Sequence, residues 1–193
     1  MYDGDRGNYK EDIPHDDLRP ANAYGKSKLD AEKMVVRRWP NHVILRSSII
    51  YGPSVPGITR PLFIQFVDNV LRMRKDTTFF YDEFRCPIYV GDICKVMKHF
   101  AAVATESTSN PSTMEPKVYN MGGSERLSRY DMAKIIANAR AHSPEPIISC
   151  SAKDVQRGYQ SPPDISMDSS KLMTTCSEIR FTAFQDGVSH CFP

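Results

Sequence analysis

The sequence predicts an α/β protein with a mainly parallel sheet. Short apolar segments with strand character alternate along the chain with longer segments whose apolar residues recur at helical spacing. The apolar run that ends at Tyr51 is nearly continuous rather than alternating, which is typical of a parallel strand covered on both faces. Too few strand-like segments precede this run to supply its neighbours, so we expect an incomplete parallel sheet.

The N-terminal region predicts a loop, a helix and a strand, in that order. Residues 1–19 are dominated by Asp, Gly, Asn and Pro, which favour loops. Pro20 suits the first turn of a helix that extends to about Arg38. The apolar strand follows over residues 42–51, and the Gly-Pro pair after it ends the strand.

Helices and strands continue to alternate through the rest of the chain. Thr59 and Pro61 are placed to open a second helix with an apolar stripe. Asp92 can cap a third helix, and Ser128 with Asp131 resembles a capping box that begins a fourth. The other predicted elements are strands near 78–81, 87–90 and 117–121, a loop over 105–116, and short helices near 168–176 and 182–191.

Composition excludes several classes of function. Twenty-five Lys and Arg residues against 23 Asp and Glu leave a formal net charge of +2, which does not indicate a nucleic-acid partner. No apolar stretch is long enough to span a bilayer, and the polar N-terminus is not a signal peptide. The five cysteines and five histidines are scattered, so we expect free thiols, a cytoplasmic location and no metal site.

The motif that carries chemistry is Tyr-x-x-x-Lys, formed by Tyr24 and Lys28. Residues four apart lie on one face of a helix, where the ammonium can favour a phenolate and so suit the tyrosine for proton transfer to or from a carbonyl or alcohol oxygen. A second copy, Tyr130 and Lys134, lies in an ordinary amphipathic helix pattern. Gly25 costs helix stability and indicates close approach by another group, which favours the first copy.

Hydride transfer to a carbonyl carbon needs a nicotinamide, and a nicotinamide needs a seat for its pyrophosphate. In dinucleotide-binding proteins this pyrophosphate site is a glycine-rich loop that leads into the N-terminus of a helix. None of the ten glycines forms such a motif, and the residues before Tyr24 contain no strand-turn-helix pattern. We therefore expect these 193 residues not to bind a dinucleotide tightly.

Four segments occur in a characteristic order. They are PANAYGKSK at 20–28, LRSSIIYGP at 45–53, PIYVGDI at 87–93 and YNMGG at 119–123. In this order they resemble the extended short-chain dehydrogenase/reductase family, and within it the dTDP-4-dehydrorhamnose reductases and the regulatory beta subunit of methionine adenosyltransferase. The resemblance implies the C-terminal part of a Rossmann-like reductase, with an incomplete parallel sheet and a smaller mixed substrate-binding region.

The resemblance also implies roles for individual residues. Tyr24 would protonate the substrate oxygen as hydride arrives, and Lys28 would favour the phenolate and hold the nicotinamide ribose. Ser47, Ser48 and Ile49 would line the nicotinamide pocket. The implied cofactor is NADP or NAD, and the implied substrate is a 4-keto nucleotide sugar.

Three arginines are further candidates for substrate contact. Arg46 lies inside an apolar strand and needs a partner, which is either a ligand or a structural ion pair. Arg85 is a candidate phosphate contact, and Arg157 is a candidate substrate contact that lies near the late substrate loop but out of register with the family's arginine. The chain departs from the family pattern at Ser161-Pro162, where Arg-Pro is usual, and the family's catalytic Ser or Thr falls before Met1.

These observations predict a truncated reductase. Residues 1–58 would be a remnant of the Rossmann domain, and residues 59–193 would be the substrate-binding region. The expected function is NAD(P)H-dependent reduction of a nucleotide sugar, with little activity for this chain alone. The alternative is a non-catalytic regulatory or binding subunit, and the incomplete sheet offers an edge for a protein partner or a second copy.

Overall fold

Helices and strands alternate in the computed structural model, which describes residues 1–39, 41–57, 60–106, 117–159 and 161–192. The helices are α1 (Ala23–Arg38), α2 (Phe63–Arg72), α3 (Val90–Glu106), α4 (Arg129–Ala139), α5 (Ser170–Thr175) and α6 (Phe184–Cys191). The strands are β1 (Val43–Ser47), β2 (Ile50–Tyr51), β3 (Thr77–Phe80), β4 (Phe84–Arg85), β5 (Ile88–Tyr89), β6 (Lys117–Met121), β7 (Leu127–Ser128) and β8 (Ile147–Cys150).

Parallel pairing predominates among the described strands. β1 pairs in parallel with β6, which places Leu45 opposite Tyr119, and β2 pairs in parallel with β5, which places Tyr51 opposite Tyr89. β3 and β8 are also parallel, whereas β4 and β7 are antiparallel. The predicted α/β class with a mainly parallel sheet is confirmed.

The strand predicted over residues 42–51 is two strands in the structure, because its two ends pair with different partners. Ser48 and Ile49 separate β1 from β2. Both partners, β6 and β5, come from later in the chain. Within the described residues β1 has a neighbouring strand on one edge only, so the parallel sheet is incomplete there.

Helix α1 begins later than the sequence predicts. Asn22 caps it by accepting a hydrogen bond from the Gly25 amide at 2.9 Å, so Pro20 lies before the helix rather than in its first turn. The helix ends where the Trp39 amide donates to the Val35 carbonyl at 2.8 Å. Most of α1 is exposed, and its buried residues are Gly25, Leu29 and Glu32.

Two of the other predicted helix starts can be compared with the structure. The capping box at α4 is confirmed, since the Asp131 amide donates to Ser128 Oγ at 3.0 Å and the Ser128 amide donates to Asp131 Oδ2 at 3.0 Å. Asp92 is not a cap; it lies in the first turn of α3 and accepts a hydrogen bond from the Thr182 amide at 2.6 Å. Pro61 precedes α2, and the predicted start at Thr59 lies outside the described residues.

Among the described residues the apolar core consists of three clusters. The largest surrounds α4, which packs against α2, α6 and the pair β3–β8. A second lies between β6, α3 and α5, and a third attaches the N-terminal segment to α1. The largest cluster includes Ile64, Val67, Phe79, Met132, Ala133, Ile136, Phe184 and Val188, and the third contains Tyr2, Tyr9, Leu18, Leu29 and Met167.

Candidate functional site

Tyr24 and Lys28 lie one turn apart on the exposed face of α1. The Tyr24 side chain is 72% exposed, and Lys28 Nζ lies 5.4 Å from the centre of its ring. Lys134 Nζ lies at the same distance, 5.4 Å, from the ring centre of Tyr130 in α4. Helical spacing alone therefore produces this geometry in both copies, and only their surroundings distinguish them.

The surroundings of Tyr24 form a cavity of about 230 Å³, here called the tyrosine cavity. Gly25 permits the close packing on which this cavity depends. A Cβ at Gly25 would lie 3.0 Å from Pro20 Cβ and 3.1 Å from the Met1 nitrogen, so the N-terminal segment passes directly against the helix. The cavity is lined by Met1, Tyr2, Ala21, Asn22, Tyr24, Gly25, Arg85, Tyr159, Ser161, Pro162 and Ile165.

A second cavity of about 270 Å³, the arginine cavity, adjoins the first. The two share Arg85, Tyr159 and Ser161, so they lie side by side, and the pair is here called the cleft. One part of the arginine cavity is aromatic and another is cationic. Its lining includes Phe63, Phe66, Phe79, Phe80, Glu83, Arg85, Arg129 and Arg157.

Two of these arginines are cations without an acidic partner. Arg85 is buried and donates to the Phe84 carbonyl at 2.6 Å and to Ser161 Oγ at 3.2 Å. The Arg129 guanidinium lies 4.4 Å from the ring centre of Phe63. Among the described residues neither guanidinium forms an ion pair. Cations that are wholly or partly buried in this state favour a bound anion.

The pKa shifts of Arg85 and Arg129 also indicate a site for an anion. Burial lowers the pKa of Arg85, and the nearby Arg157 guanidinium lowers it further, although Glu83 opposes the change. Burial also lowers the pKa of Arg129, and repulsion from Arg85 adds to this effect. A phosphate placed between the two guanidinium groups would relieve their repulsion and replace their lost hydration.

Arg157 differs from these two because its charge is already compensated. Its Nη2 lies 2.5 Å from Glu83 Oε1, and this hydrogen bond raises the pKa of Arg157. Its guanidinium carbon lies 4.7 Å from the ring centre of Phe80 and 5.7 Å from that of Tyr159. Arg157 thus connects two aromatic rings that border the cleft.

Arg46 forms a buried ion pair rather than lining the cleft. Its Nη2 and Nε donate to the Glu32 carboxylate at 2.5 and 3.1 Å, and its Nη1 donates to Tyr2 Oη at 3.0 Å. Tyr2 Oη in turn donates to Asn120 Oδ1 at 2.6 Å. Of the two alternatives left open by the sequence, the structure shows the ion pair, which joins α1 to β1.

The residues predicted to face a nicotinamide lie where the parallel strand β1 ends. Ser47 has an exposed side chain. Ser48 Oγ accepts a hydrogen bond from the Cys86 amide at 3.1 Å, and the Ile49 carbonyl accepts one from the Ile88 amide at 2.8 Å. The carboxyl end of a parallel strand is where α/β proteins bind ligands, but Ser47, Ser48 and Ile49 do not line the cleft described above.

Sequence reasoning missed two residues of the cleft, Arg129 and Tyr159. The sequence contained an indication for Arg129, because this arginine occupies the first position of α4, where a cation is unfavourable against the helix dipole. The sequence contained no indication of a role for Tyr159, because this residue lies in a loop whose local sequence predicts only a turn.

The described residues hold neither a cluster of metal ligands nor a helix suited to a membrane. In this part of the chain, no group of three or more His, Cys, Asp or Glu side chains is arranged to hold a metal ion. No helix in the described ranges combines the length and apolar character needed to cross a membrane.

Parallel strand pairs between helices, a Tyr–Lys pair on an exposed helix and arginine-lined cavities beside it define an α/β protein with a candidate ligand-binding cleft. The family described as the RmlD substrate binding domain matches residues 1–193. The chain belongs to this family.

Individual relatives agree with this assignment. Methionine adenosyltransferase 2 subunit beta from Danio rerio is 24% identical over 188 residues, which are 97% of this chain and 55% of that protein. dTDP-4-dehydrorhamnose reductase from Aggregatibacter actinomycetemcomitans is 31% identical over 138 residues, 69% of this chain and 42% of the relative. The chain therefore spans only 55% and 42% of the length of these relatives.

A solved structure shows the same fold. The dTDP-4-dehydrorhamnose reductase from Bacillus anthracis, in complex with NADP, superposes with a TM-score of 0.81 at 18% sequence identity. The superposition covers 99% of this chain and 61% of the reductase. At this identity the likeness concerns the fold alone.

Proposed function

We propose that this chain supplies the proton-donating pair and the nucleotide-sugar cleft of a reductase that acts on a 4-keto sugar. One observation carries the proposal: Tyr24 lines one of two adjoining cavities, and Arg85 and Arg129, which form no ion pair within the described residues, line the other. A phenol at one end suits a carbonyl oxygen, and a guanidinium pair at the other suits a diphosphate. Relatives named as dTDP-4-dehydrorhamnose reductases support this class of substrate.

The arrangement assigns each part of the substrate to a part of the cleft. The diphosphate binds between Arg85 and Arg129, where two negative charges offset the two unpaired guanidinium groups. The sugar then points toward Tyr24. The base packs against the aromatic part of the arginine cavity, where Phe66 is 40% exposed.

Tyr24 donates its phenolic proton to the carbonyl oxygen of the sugar. Negative charge remains on the phenol oxygen, and the Lys28 ammonium, one turn away, stabilises that charge. A nicotinamide cofactor, NADP or NAD, would supply the hydride when bound. Lys28 and exposed Ser47 fit the nicotinamide end of that cofactor, with Ser48 and Ile49 beside it.

The pyrophosphate of the cofactor has no glycine-rich loop in these 193 residues. We therefore propose that the chain by itself binds nucleotide sugars but not dinucleotides. In this proposal residues 1–58 belong to a Rossmann domain and residues 59–193 to the substrate-binding region, with the pairing of β1 and β6 joining the two. The five cysteines are free, which supports a reducing compartment such as the cytoplasm.

Titration calorimetry with dTDP-glucose and with NADPH tests this proposal. The chain is expected to bind dTDP-glucose, and Arg129→Gln should weaken binding by about 10- to 100-fold, the worth of one charge-assisted hydrogen bond. Arg180→Gln is the matched control, because Arg180 is exposed and lies outside the cleft. Absence of dTDP-glucose binding would refute the proposal, and tight binding of NADPH would refute the domain assignment.

A second function, that of a non-catalytic subunit, is favoured by a different observation. The relative from Danio rerio that matches 97% of this chain is named as a subunit of methionine adenosyltransferase. The open edge of β1 offers backbone groups to a partner chain. Co-purification of the chain with a methionine adenosyltransferase, in the absence of dTDP-glucose binding, would favour this function over the first.

A further inference from the structure

Tyr159 occupies the junction of the cleft. Its side chain is 67% exposed, and it lines both the tyrosine cavity and the arginine cavity. It also borders a third cavity of about 280 Å³ that is lined by Asp82 and Lys153. A large aromatic ring in this position presents apolar surface to whatever fills the cleft.

The Tyr159 ring is supported from one side. The Arg157 guanidinium lies 5.7 Å from its ring centre and is itself held by the ion pair with Glu83 and by the ring of Phe80. Because Arg157 is already neutralised by Glu83, this cluster has no surplus charge for a phosphate. The part of this cluster that can contact a ligand is therefore the exposed face of the Tyr159 ring.

The order of groups along the cleft decides what meets this ring. Tyr24 lines the tyrosine cavity and Arg129 lines the arginine cavity, whereas Arg85, Tyr159 and Ser161 line both. A ligand that reaches from Tyr24 to Arg129 therefore passes the three residues that line both cavities, and Tyr159 is the aromatic one among them. In a 4-keto nucleotide sugar the reacting carbon, C4, lies across the hexose ring from the diphosphate on C1, so the hexose ring is the group that passes this point.

We propose that Tyr159 is the surface on which the hexose ring packs, and that Tyr159 and Ser161 together determine which sugar is accepted. The inference rests on the proposed function. The C–H groups on one face of a hexose are apolar and pack favourably on an aromatic ring. Ser161 Oγ accepts a hydrogen bond from Arg85 at 3.2 Å, and within the described residues its hydroxyl donates to no other group, so it can donate to a sugar hydroxyl.

Calorimetry with two ligands that differ only in the hexose tests the inference. Tyr159→Ala should weaken binding of dTDP-glucose about tenfold while changing binding of dTDP less than about twofold. Ser161→Ala should show the same selectivity with a smaller loss, because it removes one neutral hydrogen bond. Tyr81→Ala is the matched control, since Tyr81 is 49% exposed but does not line the cleft. It should leave both affinities unchanged.

The outcomes distinguish a failure of this inference from a failure of the proposed function. Equal losses of dTDP and dTDP-glucose affinity in Tyr159→Ala would overturn the inference and assign the ring to the base or to the support of Arg157. Unchanged affinity for dTDP-glucose in this variant would also overturn it. If the unmodified chain binds neither ligand, the proposed function is refuted, and the inference that rests on it is refuted with it. Equal thermal midpoints for Tyr159→Ala and the control would confirm that both variants are folded.

Discussion

The two Tyr-x-x-x-Lys helices of this chain have the same local geometry and different surroundings. In both α1 and α4 the lysine ammonium lies 5.4 Å from the centre of the tyrosine ring. Helix α4 buries Met132, Ala133, Ile136 and Ala137 in the largest core cluster, and Tyr130 packs against that cluster. Helix α1 buries only Gly25, Leu29 and Glu32, and Tyr24 is exposed in a cavity.

The difference shows that the motif specifies a geometry and the tertiary environment specifies its use. Helix α4 is stabilised mainly by burial of apolar side chains, so its tyrosine serves as packing. Helix α1 is joined to the sheet by the Glu32–Arg46 ion pair, which leaves its N-terminal turn open to the cleft. A helix held in this way can present a polar pair to a ligand.

The sharpest test of the comparison replaces each tyrosine in turn. In any preparation of the protein that turns over a 4-keto nucleotide sugar, Tyr24→Phe should lower kcat by about 10²- to 10⁴-fold, the usual contribution of a general acid. Tyr130→Phe should leave kcat unchanged. The rate of NADPH oxidation measures both, and calorimetry with dTDP-glucose should show that Tyr24→Phe retains binding. Equal effects of the two substitutions would remove the distinction between the helices.

A second test concerns how the two helices are held. Glu32→Gln should lower the free energy of unfolding by about 3–5 kcal/mol, because it leaves the buried Arg46 charge without its partner. Asp30→Asn on the same helix is the control, since Asp30 is exposed. Met132→Ala in α4 should cost about 2–5 kcal/mol by creating a cavity. Urea denaturation measures all three, and a negligible effect of Glu32→Gln would contradict this account of α1.

The same ion pair predicts a dependence of stability on pH. Burial by itself would raise the pKa of Glu32, but the hydrogen bond and charge of Arg46 outweigh it and hold that pKa below its ordinary value. The pair therefore stabilises the fold above the unfolded pKa of about 4.3, and the contribution is lost as pH falls through the folded pKa. On acidification below about pH 4.3, Glu32→Gln should lose less stability than the unmodified chain.

The smallest expected effects come from the helix caps. Ser128→Ala and Asn22→Ala should each lower the free energy of unfolding by about 1 kcal/mol, because each removes a side-chain acceptor for a helix amide. Ser128→Ala should leave binding of dTDP-glucose unchanged. Asn22→Ala should also weaken binding, since Asn22 lines the tyrosine cavity. Urea denaturation and calorimetry separate the two effects, and identical profiles for the two variants would argue against a special role for α1.

Local patterns predicted most of the helices, and non-local pairing limited the prediction of strands. The capping residues of α4 were recognised because the bonds they make span three residues. Strand β8 was not predicted, because its short segment becomes a strand by pairing with β3, far away in the sequence. The run over residues 42–51 was predicted as one strand because the sequence does not show that its two ends have different partners.

The candidate site was predicted in part for the same reason. Tyr24 and Lys28 were recognised from their spacing, Arg85 as a phosphate contact and Arg157 as a substrate contact. In the structure Tyr24, Arg85 and Arg157 line two adjoining cavities. Arg129 was missed because it was considered only as part of a capped helix. Their roles in catalysis and binding stay predictions until the substitutions described above are measured.

The sequence by itself determined the α/β order, the helices and the position of each Tyr–Lys pair on one helical face, because contacts within a few residues produce these features. Only the tertiary structure decided that Tyr24 rather than Tyr130 borders a cleft, that Arg46 pairs with Glu32, and that Arg85, Arg129 and Tyr159 meet. These outcomes depend on side chains brought together from distant parts of the chain. Spacing along a helix carries no information about them.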